Sequence, residues 1–220
     1  LALQDYAKAE TLFREALGRG AAHGMLYMRL GLALGSQGRP AEAVSALRTA
    51  ADRAPGDPDV QLNLGNALAE SGQTEAAAAC YRKVLALQPN HVDAHFNLGT
   101  LFKRLGRLDE AVAAYRQALA HAPGYADAHN NLGLVYVQQG RLDDAVACYR
   151  RALELEPTQI QARNNLGNAL IAQGRREEAL ACYEHALALQ PDHPDAYINL
   201  GNVRAEEGLF TDAQALYEKA

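Results

Sequence analysis

The stretch NNLGLVYVQQGRLDDAVACYRRALELEP, running from Asn130 to Pro157, recurs along this chain in both directions at a single spacing. Its Asn131-Leu132-Gly133 is echoed by Asn63-Leu64-Gly65, Asn97-Leu98-Gly99, Asn165-Leu166-Gly167 and Asn199-Leu200-Gly201, and more loosely by Arg29-Leu30-Gly31. Gly140 has counterparts at Gly38, Gly72, Gly106, Gly174 and Gly208, so each copy is 34 residues from the next. Ala145 recurs as Ala43, Ala77, Ala111, Ala179 and Ala213, and Pro157 as Pro55, Pro89, Pro123 and Pro191. Units this short cannot bury an apolar face alone and must stack on their neighbours, so the chain reads as a repeat array.

Each copy reads as two helices. In the central copy the first starts at Asp127, an acid that suits a helix N-terminus, and ends at Gly140, which can supply a left-handed cap. The second starts near Asp143-Asp144 and is stopped by Pro157. Gly133 and Ala145 are small where two backbones approach, and Leu132, Tyr136, Tyr149 and Leu153 fill the space between helices. Burying each of these large side chains stabilises by roughly 1.5–3 kcal/mol.

Complete repeats are expected at 24–57, 58–91, 92–125, 126–159 and 160–193, preceded by a partial one at 1–23 and followed by an incomplete one at 194–220, all in one domain. In the partial copy, Tyr6, Ala9, Phe13 and Ala16 follow the second-helix pattern, Gly18 and Gly20 weaken its end, and Ala21 replaces the usual Pro. The missing start, the unfinished last helix and the lack of a polar capping helix read as marks of a fragment.

The columns Leu-Gly, aromatic, Gly, Ala, Tyr, Ala and Pro at these offsets resemble the tetratricopeptide repeat (TPR) family over the whole chain. The resemblance implies an all-α fold, with antiparallel helix pairs stacked into a right-handed superhelical solenoid. One column departs from the family: the position usually held by Trp carries Tyr27, Gln61, His95, His129, Arg163 and Tyr197.

Counting from the first residue of each repeat, a helical wheel puts positions 3, 7, 8, 10 and 11 of the first helix on an apolar arc. Positions 2, 6, 9 and 13 fall on the opposite side. In the TPR family that stripe lines a concave channel, and the resemblance implies the same here. Position 6 is Asn63, Asn97, Asn131, Asn165 and Asn199, interrupted only by Arg29. Position 9 adds Asn66, Asn168 and Asn202, and position 5 adds Asn130 and Asn164. An amide carries both donor and acceptor, so a row of them suits the N–H and C=O groups of an extended peptide whatever its side chains. Asn is a mediocre helix former, and solubility alone would favour Glu, Lys or Gln at these places. The competing account is that the row bonds to neighbouring repeats and holds the array together. Arg104 and Lys103 bring positive charge to the stripe, and Glu70 and Glu206 negative charge.

The asparagine row is similar to that in the TPR region of O-linked N-acetylglucosamine transferases and of bacterial TPR proteins, and implies capture of a protein partner. This chain carries no glycosyltransferase domain. A second TPR subclass binds acidic C-termini through lysines. Here position 2 is mostly Asp and position 5 has no Lys, so that mode is not expected. The reading is a protein–protein interaction scaffold binding an extended peptide segment. The alternatives are a substrate-recruiting arm of a larger enzyme such as an O-linked glycosyltransferase, and a scaffold that self-associates through exposed apolar surface at Leu209–Ala220.

The rest of the sequence sets limits. A formal net charge of -5 gives no general attraction to nucleic acid or anionic lipid. No apolar run is long enough to span a bilayer. Cys80, Cys148 and Cys182 share a column with Ala46, Ala114 and Leu216, so they are expected to act as small buried hydrophobes. That usage fits a cytoplasmic location. His91 and His95 are spaced i, i+4, but with no third ligand in sight no metal site is expected. Arg48 and Arg150 are expected to pair on the helix surface with Asp52 and Glu154, four residues on. No nucleophile motif or phosphate-binding loop appears, so no catalytic residue and no cofactor is expected. Gly35, near a helix end, is the one glycine that neither the repeat columns nor the terminal linkers explain.

Overall fold

The computed structural model describes residues 3–18 and 23–220. The expectations for Gly20 and Ala21 lie outside the described residues. Among those residues there are thirteen helices and no strand. They fall into two compact units divided between Leu105 and Gly106. The first holds α1 (Leu3–Gly18), α2 (Gly24–Ser36), α3 (Pro40–Arg53), α4 (Pro58–Glu70), α5 (Thr74–Leu87) and α6 (Val92–Arg104). The second holds α7 (Leu108–His121), α8 (Ala126–Gln138), α9 (Leu142–Leu155), α10 (Ile160–Ala172), α11 (Arg176–Leu189), α12 (Pro194–Glu206) and α13 (Phe210–Tyr217).

The breaks between helices follow from a few residues. After α8, Gly140 takes φ 73°, its N–H reaches the Val137 carbonyl at 3.0 Å, and the Arg141 N–H reaches the Tyr136 carbonyl at 2.8 Å. This left-handed turn satisfies helix-end carbonyls, and a side chain at Gly140 would strain it. Five other glycines of the same column share the conformation. First helices start by side-chain capping in three repeats. Asp57 Oδ1 accepts from the Asp59 and Val60 N–H groups, and His91 and His193 use Nδ1 to accept from the Ala94 and Ala196 N–H groups. Second helices start with an ion pair across their first turn: Arg39 with Glu42, Arg107 with Glu110, Arg141 with Asp144, and Arg175 with Glu178.

Within a pair, close approach of the helices depends on one small residue opposite one large one. A Cβ placed on Gly133 of α8 would lie 2.6 Å from Cε1 of Tyr149 on α9, and Tyr149 is only 1% exposed. The same relation holds between Gly65 and Tyr81 and between Gly201 and Tyr217. First helices of successive repeats also touch directly, α2 with α4 and α4 with α6 in the first unit, α8 with α10 and α10 with α12 in the second. That adjacency brings their equivalent positions together.

Four of the residues standing where the family has Trp tie repeats together by a different route. His95 Nε2–H donates to the Pro89 carbonyl at 2.9 Å and His129 Nε2–H to Pro123 at 3.0 Å. Arg163 Nη2 donates to Pro157 at 2.5 Å and the Tyr197 hydroxyl to Pro191 at 3.0 Å. Each therefore satisfies the carbonyl of the Pro that ends the preceding repeat, and Tyr27 instead carries Arg53 over its ring at 4.7 Å.

The arginines expected to pair within their own helices do something else. Arg48 donates to Gln73 Oε1 at 2.9 Å, and Arg150 pairs with Glu178 at 3.1 Å, each in the following repeat. Arg116 donates to the Tyr136 hydroxyl at 2.9 Å in the same way. This column sits at the seam between repeats, where the next repeat offers an acceptor. Such exposed pairs contribute about 0–1 kcal/mol each.

Candidate functional site

The position-6 asparagines are half-buried, and the structure gives each a defined orientation. In the second unit, Asn165 Nδ2 donates to Asn130 Oδ1 at 3.0 Å, and Asn199 Nδ2 donates to Asn164 Oδ1 at 2.9 Å. In the first unit position 5 offers no oxygen. Asn97 Nδ2 turns instead to Asn66 Oδ1 at 2.9 Å, and Asn63 Nδ2 meets the Asp59 carbonyl at 2.8 Å and the Met28 sulfur at 3.7 Å. Asn131 Nδ2 donates to the Asp127 carbonyl at 2.9 Å. In each case the position-6 amide donates through Nδ2, to a buried asparagine oxygen for Asn165 and Asn199 and to the carbonyl four residues back in the same helix for Asn63 and Asn131. Among the described residues, Oδ1 of Asn97, Asn165 and Asn199 has no hydrogen-bond partner.

Asn130 and Asn164 are 8% and 7% exposed, so they lie beneath the stripe and not on it. A buried amide oxygen needs a donor, and the asparagine of the next repeat supplies it. Both are buried where the sequence reading placed them in the exposed row, and each holds the asparagine of the next repeat.

The position-9 asparagines have the opposite polarity. Asn66, Asn168 and Asn202 accept at Oδ1 from the hydroxyls of Tyr81, Tyr183 and Tyr217 at 2.9, 2.7 and 2.9 Å. Burial pushes the Tyr81 and Tyr183 hydroxyls well above the usual phenol range, so both remain donors at any ordinary pH. With Oδ1 held this way, Nδ2 is left available, and among the described residues it has no acceptor. Asn165 and Asn168 on α10, like Asn199 and Asn202 on α12, thus leave one amide oxygen and one amide N–H available three residues apart in the helix. The tyrosines that set this orientation were missed in the sequence reading. Their signal was there: every Asn at position 9 has a Tyr fifteen residues on, as Asn168 has Tyr183.

Arg104 is exposed at the end of α6, with Nη1 3.4 Å from the Ala69 carbonyl. It lines a hollow of about 300 Å³ with Asn66, Glu70, Tyr81, Asn97 and Thr100. Neighbouring Lys103 is half-buried, and burial lowers its pKa.

Other candidate chemistry is engaged locally. His91 caps α6 and His95 bonds the Pro89 carbonyl, and no cluster of His, Cys, Asp or Glu suited to a metal occurs among the described residues. The three thiols are unpaired; Cys80 is buried as expected, whereas Cys148 and Cys182 are only half-buried, and desolvation raises the pKa of each, that of Cys148 to about 11. Thiols so shifted are poor nucleophiles at neutral pH. No helix among the described residues is long and apolar enough to cross a membrane.

Comparison with known proteins agrees with the geometry. A family profile described as tetratricopeptide repeat matches residues 1–58, 62–120 and 98–160, a second of that description matches 148–181, and one described as TPR repeat matches 167–208. No curated protein matches the sequence. Among solved structures, MamA (residues 41 to the end) from Desulfovibrio magneticus RS-1 is 26% identical, with a TM-score of 0.71 over 76% of this chain and 95% of that one. TTC0263, a thermophilic TPR protein of Thermus thermophilus, is 27% identical, with a TM-score of 0.65 over 83% and 99%. YrrB, described as a TPR protein with an unusual peptide-binding site, is 21% identical, with a TM-score of 0.67 over 89% and 97%, a likeness of fold. With helix pairs repeating at one period and the family's profile matching more than half its length, this chain belongs to the tetratricopeptide repeat family.

Proposed function

We propose that this protein is an interaction scaffold that holds an extended segment of a protein partner along the exposed stripe of its first helices. The observation that carries the reading is the fixed polarity of the amides. Asn165 and Asn199 are bonded through Nδ2, which leaves the oxygen available, and Asn168 and Asn202 through Oδ1, which leaves the N–H available; such a set suits the alternating N–H and C=O groups of an extended backbone. In the second unit Asn131, Asn165, Asn168, Asn199 and Asn202 form this array, and in the first unit Asn63, Asn66, Asn97 and Arg104 form the equivalent one.

The structural account of the row is favoured by a separate observation, the bonds from Asn165 and Asn199 to buried Asn130 and Asn164. The two roles use different atoms of the same amide, so they are compatible.

The test exploits that division. Replacing Asn168 and Asn202 together by Asp keeps the oxygens that Tyr183 and Tyr217 need, removes the free N–H donors and puts a carboxylate charge in the place of each. Pull-down from a lysate of the source organism, compared by mass spectrometry, is expected to lose partner proteins with the double variant while circular dichroism and melting stay unchanged. Equal retention of every partner by the two chains would remove the asparagine row from the binding surface.

A further inference from the structure

Two hollows in the first compact unit share a wall. One is the hollow of about 300 Å³ at Asn66, Asn97 and Arg104. The other, about 180 Å³, lies where α2 and α3 meet α4, with Leu32, Gly35, Ala43, Leu47 and Ala67 among its walls. Asn66 and Glu70 line both.

Gly35 explains why the smaller hollow exists. A Cβ on Gly31, one turn earlier in α2, would lie 2.6 Å from Leu47 Cγ, so packing demands that glycine. A Cβ on Gly35 would meet nothing closer than Ala43 Cβ at 3.9 Å, so packing does not demand this one. Nor does its backbone, which is helical. Glycine in a helix costs about 1 kcal/mol relative to alanine. The same column elsewhere holds Ala69, Lys103, Val137, Ile171 and Ala205, any of which would intrude on the space. Two further substitutions make the notch apolar. Leu47 stands where later repeats have Tyr, and Leu32, 44% exposed, stands where three of them have Asn.

The rim is charged. Glu70, the last residue of α4, is exposed and has no hydrogen-bond or ion-pair partner among the described residues. Arg104 lines the larger hollow with Glu70 but directs Nη1 to the Ala69 carbonyl and forms no ion pair with that carboxylate. An apolar notch with a carboxylate free of ion pairs at its edge complements an aliphatic side chain next to a cationic one.

We propose that this notch is a specificity pocket of the channel: it seats one aliphatic side chain of the bound segment, and Glu70 pairs with a Lys or Arg one to three residues away on that segment. In an extended chain alternate side chains share a face, so an aliphatic residue and a basic one two positions on reach the notch and its rim together. The proposal rests on the channel reading above and adds the partner's side-chain chemistry to it.

Phage-displayed random dodecapeptides panned against the full chain test it. The expected result is enrichment of peptides carrying an aliphatic residue with Lys or Arg one to three positions away. Gly35→Leu fills the notch with a better helix former, so it stays folded by circular dichroism and weakens a selected peptide by about tenfold or more. Glu70→Gln weakens it by about threefold, and Glu70→Arg shifts the enrichment to acidic residues. Enriched peptides that lack the pair, or whose affinity ignores both positions, overturn the pocket while leaving the channel reading intact. Recovery of no binding peptide at all overturns the pocket and the channel reading together.

Discussion

Replacing Gly133 by alanine tests the packing argument on which the stacked helix pairs depend. In an open helix the change stabilises by about 1 kcal/mol, because alanine loses less conformational freedom. At this site the new methyl would stand 2.6 Å from Tyr149 Cε1 and 2.9 Å from both Cδ1 and Cζ. Tyr149 is 1% exposed, so its ring has nowhere to swing, and α8 and α9 must separate. Overpacking of this kind costs about 1–3 kcal/mol, and contact with three ring atoms puts it at the upper end. The net expectation is a loss of about 1–2 kcal/mol, or roughly 2–8 °C in melting temperature for a chain of this size. Guanidinium unfolding followed by circular dichroism measures the loss, and hydrogen exchange should place it in α8 and α9. Gly35→Ala is the internal control: with only Ala43 Cβ at 3.9 Å nearby, it should stabilise by about 1 kcal/mol. In a Tyr149→Ala background the methyl at residue 133 fills space, and its cost should vanish. If Gly133→Ala raises the unfolding midpoint as Gly35→Ala does, the close-approach argument is refuted.

Two other outcomes follow from buried polar groups. Asn130→Ala leaves the inward N–H of Asn165 without its acceptor and should cost about 1–2 kcal/mol in urea unfolding; no change would mean that the amide link between repeats adds nothing to stability. The Cys148 thiol, raised from an ordinary 9.0 to about 11 by burial, should form its thiolate near pH 11 by ultraviolet absorbance, and should resist alkylation at neutral pH. Because burial favours the neutral thiol, its contribution to stability is complete below pH 9 and is lost as the pH rises through about 11. Midpoints that stay level across that window in the wild type, or fall equally in Cys148→Ala, would remove Cys148 as a source of alkaline instability.

The sequence by itself determined the architecture of each repeat. Gly140 and Pro157 stop helices for reasons internal to the backbone, and Gly133, Leu132 and Tyr149 mark the packed face through a spacing that needs no knowledge of distant residues. The exposed stripe was legible for the same reason, since a helix of known pitch sorts its own residues by face. What only the tertiary structure decided was which groups meet across repeats. Asn130 and Asn164 share the amide chemistry of their neighbours in the sequence, yet they are buried as acceptors. Arg150 passes over Glu154, four residues away, for Glu178, 28 residues away. The polarity of Asn168 depends on a tyrosine hydroxyl from the next helix. Periodicity is a local property of the chain, whereas a hydrogen bond is decided by distance and direction in space, and stacking places residues about one repeat apart in sequence within 3 Å of each other.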